Sequence, residues 1–310
     1  MVIERRLLLS ASEDLSLYKI QYLLYNRTMK KVMGKIWDEF IYGGHLTALG
    51  APAIALTVAN LNRSEISWSF LIVLYLLVEI IYLIDHLKDN QSDKSTNLER
   101  SSFIRSKSWL WPISYFVIFI FLSLSYGNLN FILVLLIYLI FGATYPLYTK
   151  SLSKKITGFK NYIVIALWST IPVLYYTFYS IPLNNLLFYF VFFMIIREFV
   201  NTSYCDIKDI KSDQLRGLKT LPVKLGKTKT LNILSVVNLT AIVPIIYGIY
   251  QGTFPRNSVV LIGAIVYCFI YINIAKSADV KQRSFLFSLT PDIEPIIYFA
   301  LVTLGSYNGF

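Results

Sequence analysis

Apolar and polar positions in this chain separate into long blocks. Nine apolar runs stand out: Phe40–Leu61, Trp68–Ile84, Trp109–Tyr126, Phe131–Tyr148, Tyr162–Tyr179, Leu186–Val200, Leu231–Tyr250, Val259–Ala275 and Ile293–Ser306. Each is about the length of a bilayer-crossing helix, on the order of 20 residues, and the shorter ones need help from neighbours or from the interface. The pattern predicts an all-α, polytopic membrane protein, a bundle of nine transmembrane helices. Before the first run lies a polar to amphipathic arm in which Leu, Tyr and Ile alternate with bases over Leu15–Met33. That alternation predicts an interfacial helix. The first long apolar run begins too late for a secretory signal. The expected organisation is a cytoplasmic or interfacial arm over residues 1–36 and one transmembrane domain over 37–310. No linker, low-complexity segment or repeat divides the second part.

Composition agrees with this. Charged residues make up 15% of the chain and hydrophobic ones 55%, with mean hydropathy +0.56. A soluble domain carries about 25% charged residues, so this chain needs lipid as its solvent. Two cysteines and two histidines exclude a disulfide framework and a His-rich metal site. The net charge of +11 does not require nucleic acid. Of the 29 Lys and Arg residues, 26 fall in the arm and in the loops after runs 2, 4, 6 and 8, whereas only Arg63 and Arg256 fall in the other loops. The positive-inside rule then places the N-terminus and the even-numbered loops in the cytoplasm, and an odd number of spans places the C-terminus outside.

Two acidic clusters lie on that cytoplasmic side. Asp206, Asp209 and Asp213 follow run 6 at i, i+3 and i+7, and Asp85, Asp89 and Asp93 follow run 2 at i, i+4 and i+8. On a helix either spacing places three carboxylates on one face. Crowded carboxylates repel unless a cation sits between them, and a hard ion such as Mg²⁺ takes carboxylate, water and phosphate oxygens. The competing interpretation is a pair of solvated helix ends whose acids pair with Lys208, Lys211 and Arg216. Three acids on one face, twice, on one side of a charge-poor chain favour a site. The same loops supply Tyr148, Lys94, Arg100, Lys154, Lys155, Lys208 and Arg216 as candidates to bind a diphosphate. A diphosphate at the interface with apolar spans behind it describes a polyprenyl diphosphate.

The chain resembles the UbiA superfamily of intramembrane prenyltransferases over roughly residues 36–308. The resemblance is strongest at Asp206–Gly226, DIKDIKSDQLRGLKTLPVKLG, and extends to Tyr145-Pro146-Leu147-Tyr148, Lys154-Lys155 and Lys160-Asn161. It implies nine transmembrane helices with aspartate motifs after helices 2 and 6. The first motif departs from the family's N-x-x-x-D-x-x-x-D. Either Asp85 replaces the Asn and Asp89 and Asp93 are the acids, or Ile81 replaces it and Asp85 and Asp89 are the acids, with His86 at a position where Arg is common. Both registers are open, and the greater depth of Asp85 favours the second.

The resemblance and the two acidic clusters together imply an Mg²⁺-dependent prenyltransferase. Asp85, Asp89, Asp206, Asp209 and Asp213 are its expected catalytic acids, with Asp93 among the possible metal ligands. Its partners are the bilayer, a polyprenyl diphosphate and a lipophilic acceptor, which the resemblance implies to be aromatic. No nucleic acid and no obligate protein partner is expected. A terpene cyclase on the same scaffold is one alternative. A transporter or structural protein is another, although inverted repeats and broken midplane helices are not evident. Glu79, Arg197 and Glu198 lie within spans, Asp38, Glu39 and His45 near the start of the first, and Asp292 and Glu294 at the start of the last. Arg197 is expected either to snorkel or pair with Glu79 or Glu198, or to serve the cavity. For His45, after Gly43-Gly44, packing is the expected role.

Overall fold

Each of the nine apolar runs lies largely on helix. In the computed structural model, which describes residues 32–96, 98–105, 110–277 and 284–307, no strand occurs among the described residues. The side chains of 89–100, 147, 149–150, 284–286 and 288 fall outside the description. The chain divides into two units, Met1–His45 and Leu46–Phe310. In the first, only α1 (Val32–Tyr42) and the residues after it are described, so most of the expected interfacial helix lies outside the described residues. There His45 Nε2 approaches Glu39 Oε1 at 3.6 Å.

The second unit is a helical bundle. Its elements are α2 (His45–Ala48), α3 (Gly50–Leu61), α4 (Trp68–Thr96), α5 (Leu98–Arg105), α6 (Leu110–Tyr126), α7 (Leu129–Leu147), α8 (Phe159–Ser169), α9 (Ile171–Phe178) and α10 (Asn185–Cys205). They continue through α11 (Ile210–Leu215), α12 (Leu221–Thr240), α13 (Ile242–Tyr250), α14 (Ile262–Ser277) and α15 (Ser284–Tyr307). Among the described residues, six helical stretches are long and apolar enough to cross a membrane, or seven if residues 32–61 form one broken span, and α6 is a shorter apolar helix. α15 has 24 residues and carries Asp292 and Glu294 within it.

Packing follows the sequence of small and apolar residues. α3 buries Ala51, Ala53, Ala55 and Ala59, which lets its backbone lie close to α15. α4 packs on α6 and α7, while α10 packs on α8 and α12. One aromatic group, Phe70, Phe131, Tyr175, Phe178 and Tyr179, joins the starts of α4 and α7 to the end of α9. The Ser67 amide also donates to the Tyr179 hydroxyl at 2.6 Å. With those ends together, the C-terminal ends of α4, α7 and α10 and the start of α8 share the opposite end of the bundle.

Two prolines in α15 explain its docking. Proline has no N–H, so Pro291 and Pro295 leave the carbonyls of Phe287 and Pro291 without helical donors. Side chains from α10 fill both gaps. Asn201 Nδ2 donates to the Pro291 carbonyl at 3.0 Å, and Cys205 Sγ lies 3.9 Å from the Phe287 carbonyl.

α10 and α15 also carry a buried ion pair. Arg197 and Glu294 are both fully buried. Arg197 Nε donates to Glu294 Oε1 at 2.7 Å, and its Nη2 closes a second contact to the same carboxylate. Asn238 of α12 accepts from Arg197, while Tyr271 of α14 and Tyr298 of α15 donate to Glu294. Arg197 therefore neither snorkels nor pairs with Glu79 or Glu198. Its head is wholly buried, and the guanidinium fork meets its partners on neighbouring helices.

Candidate active site

The second acidic cluster does not lie on one helix. Asp206 caps the C-terminus of α10, a turn follows, and Asp209 precedes the first residue of α11, which contains Asp213. The expected i, i+3, i+7 face is therefore broken, since α10 stops at the first aspartate. Its Asp206 amide still bonds to the Thr202 carbonyl at 3.2 Å, while Asp209 N turns back to Asp206 O at 3.1 Å. An acid at a helix C-terminus opposes the helix dipole, and it needs a partner from elsewhere.

That partner comes from α8. Lys160 Nζ lies 2.8 Å from Asp206 Oδ1 and 2.8 Å from Asp213 Oδ2. Asn161 Nδ2 donates to the other Asp206 oxygen at 2.8 Å. All four residues are buried. The crowding of carboxylates is thus relieved in this structure by an ammonium group. The pairing with Lys208, Lys211 and Arg216 weighed from sequence is not what the geometry gives Asp206 and Asp213.

Two loops hold this arrangement in place. Gly158, with φ 70°, turns the chain into α8 through a left-handed conformation that glycine adopts without cost. The Gly158 amide then donates to the Lys219 carbonyl at 2.7 Å, and Lys219 N donates to Ser153 O at 2.8 Å. Ser153 Oγ accepts from the Lys160 amide at 2.8 Å. On the other loop Gly217, with φ 71°, follows α11, and Leu218 N reaches back to the Asp213 carbonyl at 2.8 Å. This six-to-one bond closes a Schellman-type helix end. The backbones carrying Lys160 and Asp213 are therefore stitched together through Lys219 and Ser153.

Burial, with Asp206 and Asp209 adding to it, pushes the Asp213 carboxyl up to about 6, against the lowering effect of Lys160. Asp209 is half-buried, and its carboxylate takes no hydrogen bond or ion pair among the described residues. No three His, Cys, Asp or Glu groups converge on a metal position among the described residues. The donor set still suits a hard cation, because it consists of carboxylate oxygens with spare lone pairs. Asp209 and the second oxygen of Asp213 are uncommitted. In the loop after α11, one residue past Lys219, the Thr220 hydroxyl is buried without a hydrogen-bond partner, an uncommon state for a buried polar atom.

The remaining predicted residues divide into three groups. Tyr148, Lys154 and Lys155 are exposed, and Lys208 and Arg216 are half-buried, all in the loops at this end of the bundle. Asp85 is half-buried on α4, where the buried His86 packs edge-on to Tyr82 at 4.1 Å between ring centroids. The side chains of Asp89, Asp93, Lys94 and Arg100 lie outside the described residues. Helix α4 nevertheless continues through Thr96, so the polar run 90–96 is helical and not unravelled. Lys160 was not among the residues assigned a role from sequence. Its available signal was a base placed in the first turn of an apolar run, where solvation is poor.

A sequence model of the UbiA prenyltransferase family matches residues 46–290. No curated protein matches the chain in sequence. Solved structures share its fold. The digeranylgeranylglyceryl phosphate synthase structure is 14% identical with TM-score 0.58, covering 89% of this chain and 99% of that one. A UbiA homologue from Archaeoglobus fulgidus bound to DMAPP and Mg²⁺ is 15% identical with TM-score 0.57, covering 86% and 99%. The apo structure of a UbiA homologue from Aeropyrum pernix K1 is 15% identical with TM-score 0.60, covering 83% and 97%.

Proposed function

The chain belongs to the UbiA prenyltransferase family, and from that premise we propose that this membrane prenyltransferase moves a polyprenyl group from its diphosphate to a lipophilic, aromatic acceptor. The observation that carries the site assignment is the buried Lys160–Asp206–Asp213 cluster at one end of an apolar bundle. Ionisable groups held together at membrane depth are costly, and their usual reason is function. One solved relative is bound to DMAPP and Mg²⁺, which supports a prenyl diphosphate and Mg²⁺ here.

Asp206, Asp209 and Asp213, together with Asp85 and Asp89, would hold Mg²⁺, with Asp93 at the edge of the set. Bound there, Mg²⁺ supplies Lewis-acid polarisation of the diphosphate. Lys154, Lys155, Lys208, Arg216, Lys94 and Arg100 draw the diphosphate to this end, and Tyr148 offers it a hydroxyl. As the allylic C–O bond breaks, these bases stabilise the negative charge on the departing diphosphate. The acceptor then forms a bond to the allylic carbon and gives up a proton. The apolar interior excludes water that would otherwise trap the cation. The excess of bases on this side supports a cytoplasmic site, with nine spans and an external C-terminus.

The test is turnover of labelled prenyl diphosphates by the purified protein, with and without Mg²⁺ and with membrane extract as acceptor source. Mg²⁺-dependent prenylated product from the extract is expected. No diphosphate release under any condition would overturn the proposal, and product without an acceptor would point to the cyclase.

A further inference from the structure

The ammonium of Lys160 fills the position between Asp206 and Asp213 where a cation is needed, and both distances are 2.8 Å. Each Asp206 oxygen already accepts one bond, from Lys160 on Oδ1 and from Asn161 on Oδ2. A divalent ion taken up by these carboxylates would meet a unit positive charge already bonded to them. The two cations repel and draw on the same lone pairs. The Lys160 main chain cannot retreat, because its amide is bonded to Ser153 and its neighbour Gly158 to Lys219. Its side chain can move, since lysine carries a compact charge on a flexible four-carbon stem. A diphosphate arriving with the metal offers that charge a new partner.

We propose that Lys160 is an exchangeable counter-ion, bound to Asp206 and Asp213 while the site is empty and passed to the diphosphate when metal and substrate bind. This rests on the prenyltransferase assignment above. The exchange has two consequences. Without diphosphate, Lys160 opposes metal binding, which protects the acids from neutralisation by stray divalent ions. With diphosphate, the released ammonium adds a donor to the leaving group, so metal and diphosphate bind cooperatively. A residue that merely braced the two loops would do neither. Lys160 acts here as a positioning residue for the acids and as a ligand of the diphosphate in turn.

The experiment measures Mn²⁺ binding by electron paramagnetic resonance, with and without a non-reactive prenyl thiolodiphosphate, in detergent-purified wild-type, Lys160→Met and Lys160→Arg proteins. Removing the ammonium should tighten Mn²⁺ alone by about tenfold or more and weaken the diphosphate analogue by about tenfold, opposite signs from one substitution. Lys160→Arg should retain the wild-type order of affinities. In wild type the analogue should tighten Mn²⁺ binding, and in Lys160→Met that coupling should largely vanish. Weaker or unchanged Mn²⁺ binding in a folded Lys160→Met protein overturns the exchange and leaves a structural brace. Should Lys160→Met fail to fold, the wild-type coupling decides alone, and its absence overturns the exchange. Wild-type protein that binds neither Mn²⁺ nor the analogue overturns the prenyltransferase site itself, a different result from either of these.

Discussion

Replacing Arg197 with Met tests whether the buried ion pair between α10 and α15 holds the bundle together. Wild-type Arg197 makes two contacts to Glu294 and one to Asn238, all fully buried. The variant leaves Glu294 in the interior without its cation. Stranding one member of a buried pair costs about 3–5 kcal/mol. Two features reduce that figure. Tyr271 and Tyr298 still donate to Glu294, and in a membrane the unfolded state also finds polar partners. A loss of about 3 kcal/mol remains, roughly 6–12 °C at 2–4 °C per kcal/mol for a chain of comparable size. Glu294→Gln should lose at least as much, because it strands the guanidinium instead. Removing both charges, in Arg197→Met with Glu294→Leu, should recover most of the midpoint. Thermal unfolding of the detergent-solubilised protein, followed by intrinsic fluorescence, reads these shifts. A loss below about 1 kcal/mol in Arg197→Met, or no recovery in the double variant, would show that the pair does not carry the junction.

Asp209→Asn and Asp213→Asn should each abolish turnover while the thermal midpoint is kept or rises slightly, since repulsion among the acids is relieved; full activity in both variants excludes this cluster as a metal site. The raised Asp213 value, about 6 against an ordinary 3.8, means that folding favours the protonated form. The metal-free protein should therefore lose stability as pH rises from about 4 through 6, whereas turnover should rise over the same window, and Asp213→Asn should remove the stability change. Cysteine introduced at the exposed Leu215 should be unreachable from outside intact cells, and cysteine in 126–130 or 252–257 should be labelled; outside labelling at Leu215 reverses the orientation. Along α4, Asp85→Ala and Asp89→Ala should be inactive and Asp93→Ala little affected, because Asp85 and Asp93 stand about 12 Å apart on the helix axis; an inactive Asp93→Ala beside an active Asp85→Asn selects the other register.

The helices were legible because lipid imposes a simple rule on sequence: backbone groups must be satisfied internally, so long apolar runs become helices. Their breaks were less legible. The fifth run divides at Thr170 into α8 and α9, where Pro172 opens the second helix. The last helix begins at Ser284, nine residues before the last run set out from sequence. Two prolines there leave helical carbonyls without donors, and the groups that replace those donors are far away in sequence. Asn201 and Cys205 supply what Pro291 and Pro295 remove, and nothing local in either segment announces the other. Arg197 shows the same limit. Glu79 and Glu198 were the acids weighed as its partners, yet the carboxylate it meets is that of Glu294, 97 residues away.

The site was legible in its acids and not in its base. Aspartates at helical spacing attract notice because like charges should not crowd, and Asp206 and Asp213 do come together on one ammonium although the helix beneath them breaks. The compensating cation, however, belongs neither to the same loop nor to the solvent. Lys208, Lys211 and Arg216 are near in sequence, but Lys211 is exposed and Lys208 and Arg216 keep part of their surface in solvent, which screens their charge. A base in the first turn of an apolar run has no such outlet. Lys160 enters the bundle with α8, leaves bulk solvent, and must find carboxylates or lose its charge. Burial therefore makes Lys160 the residue whose charge depends most on Asp206 and Asp213. For the same reason it is the residue whose position must change most when another cation reaches them.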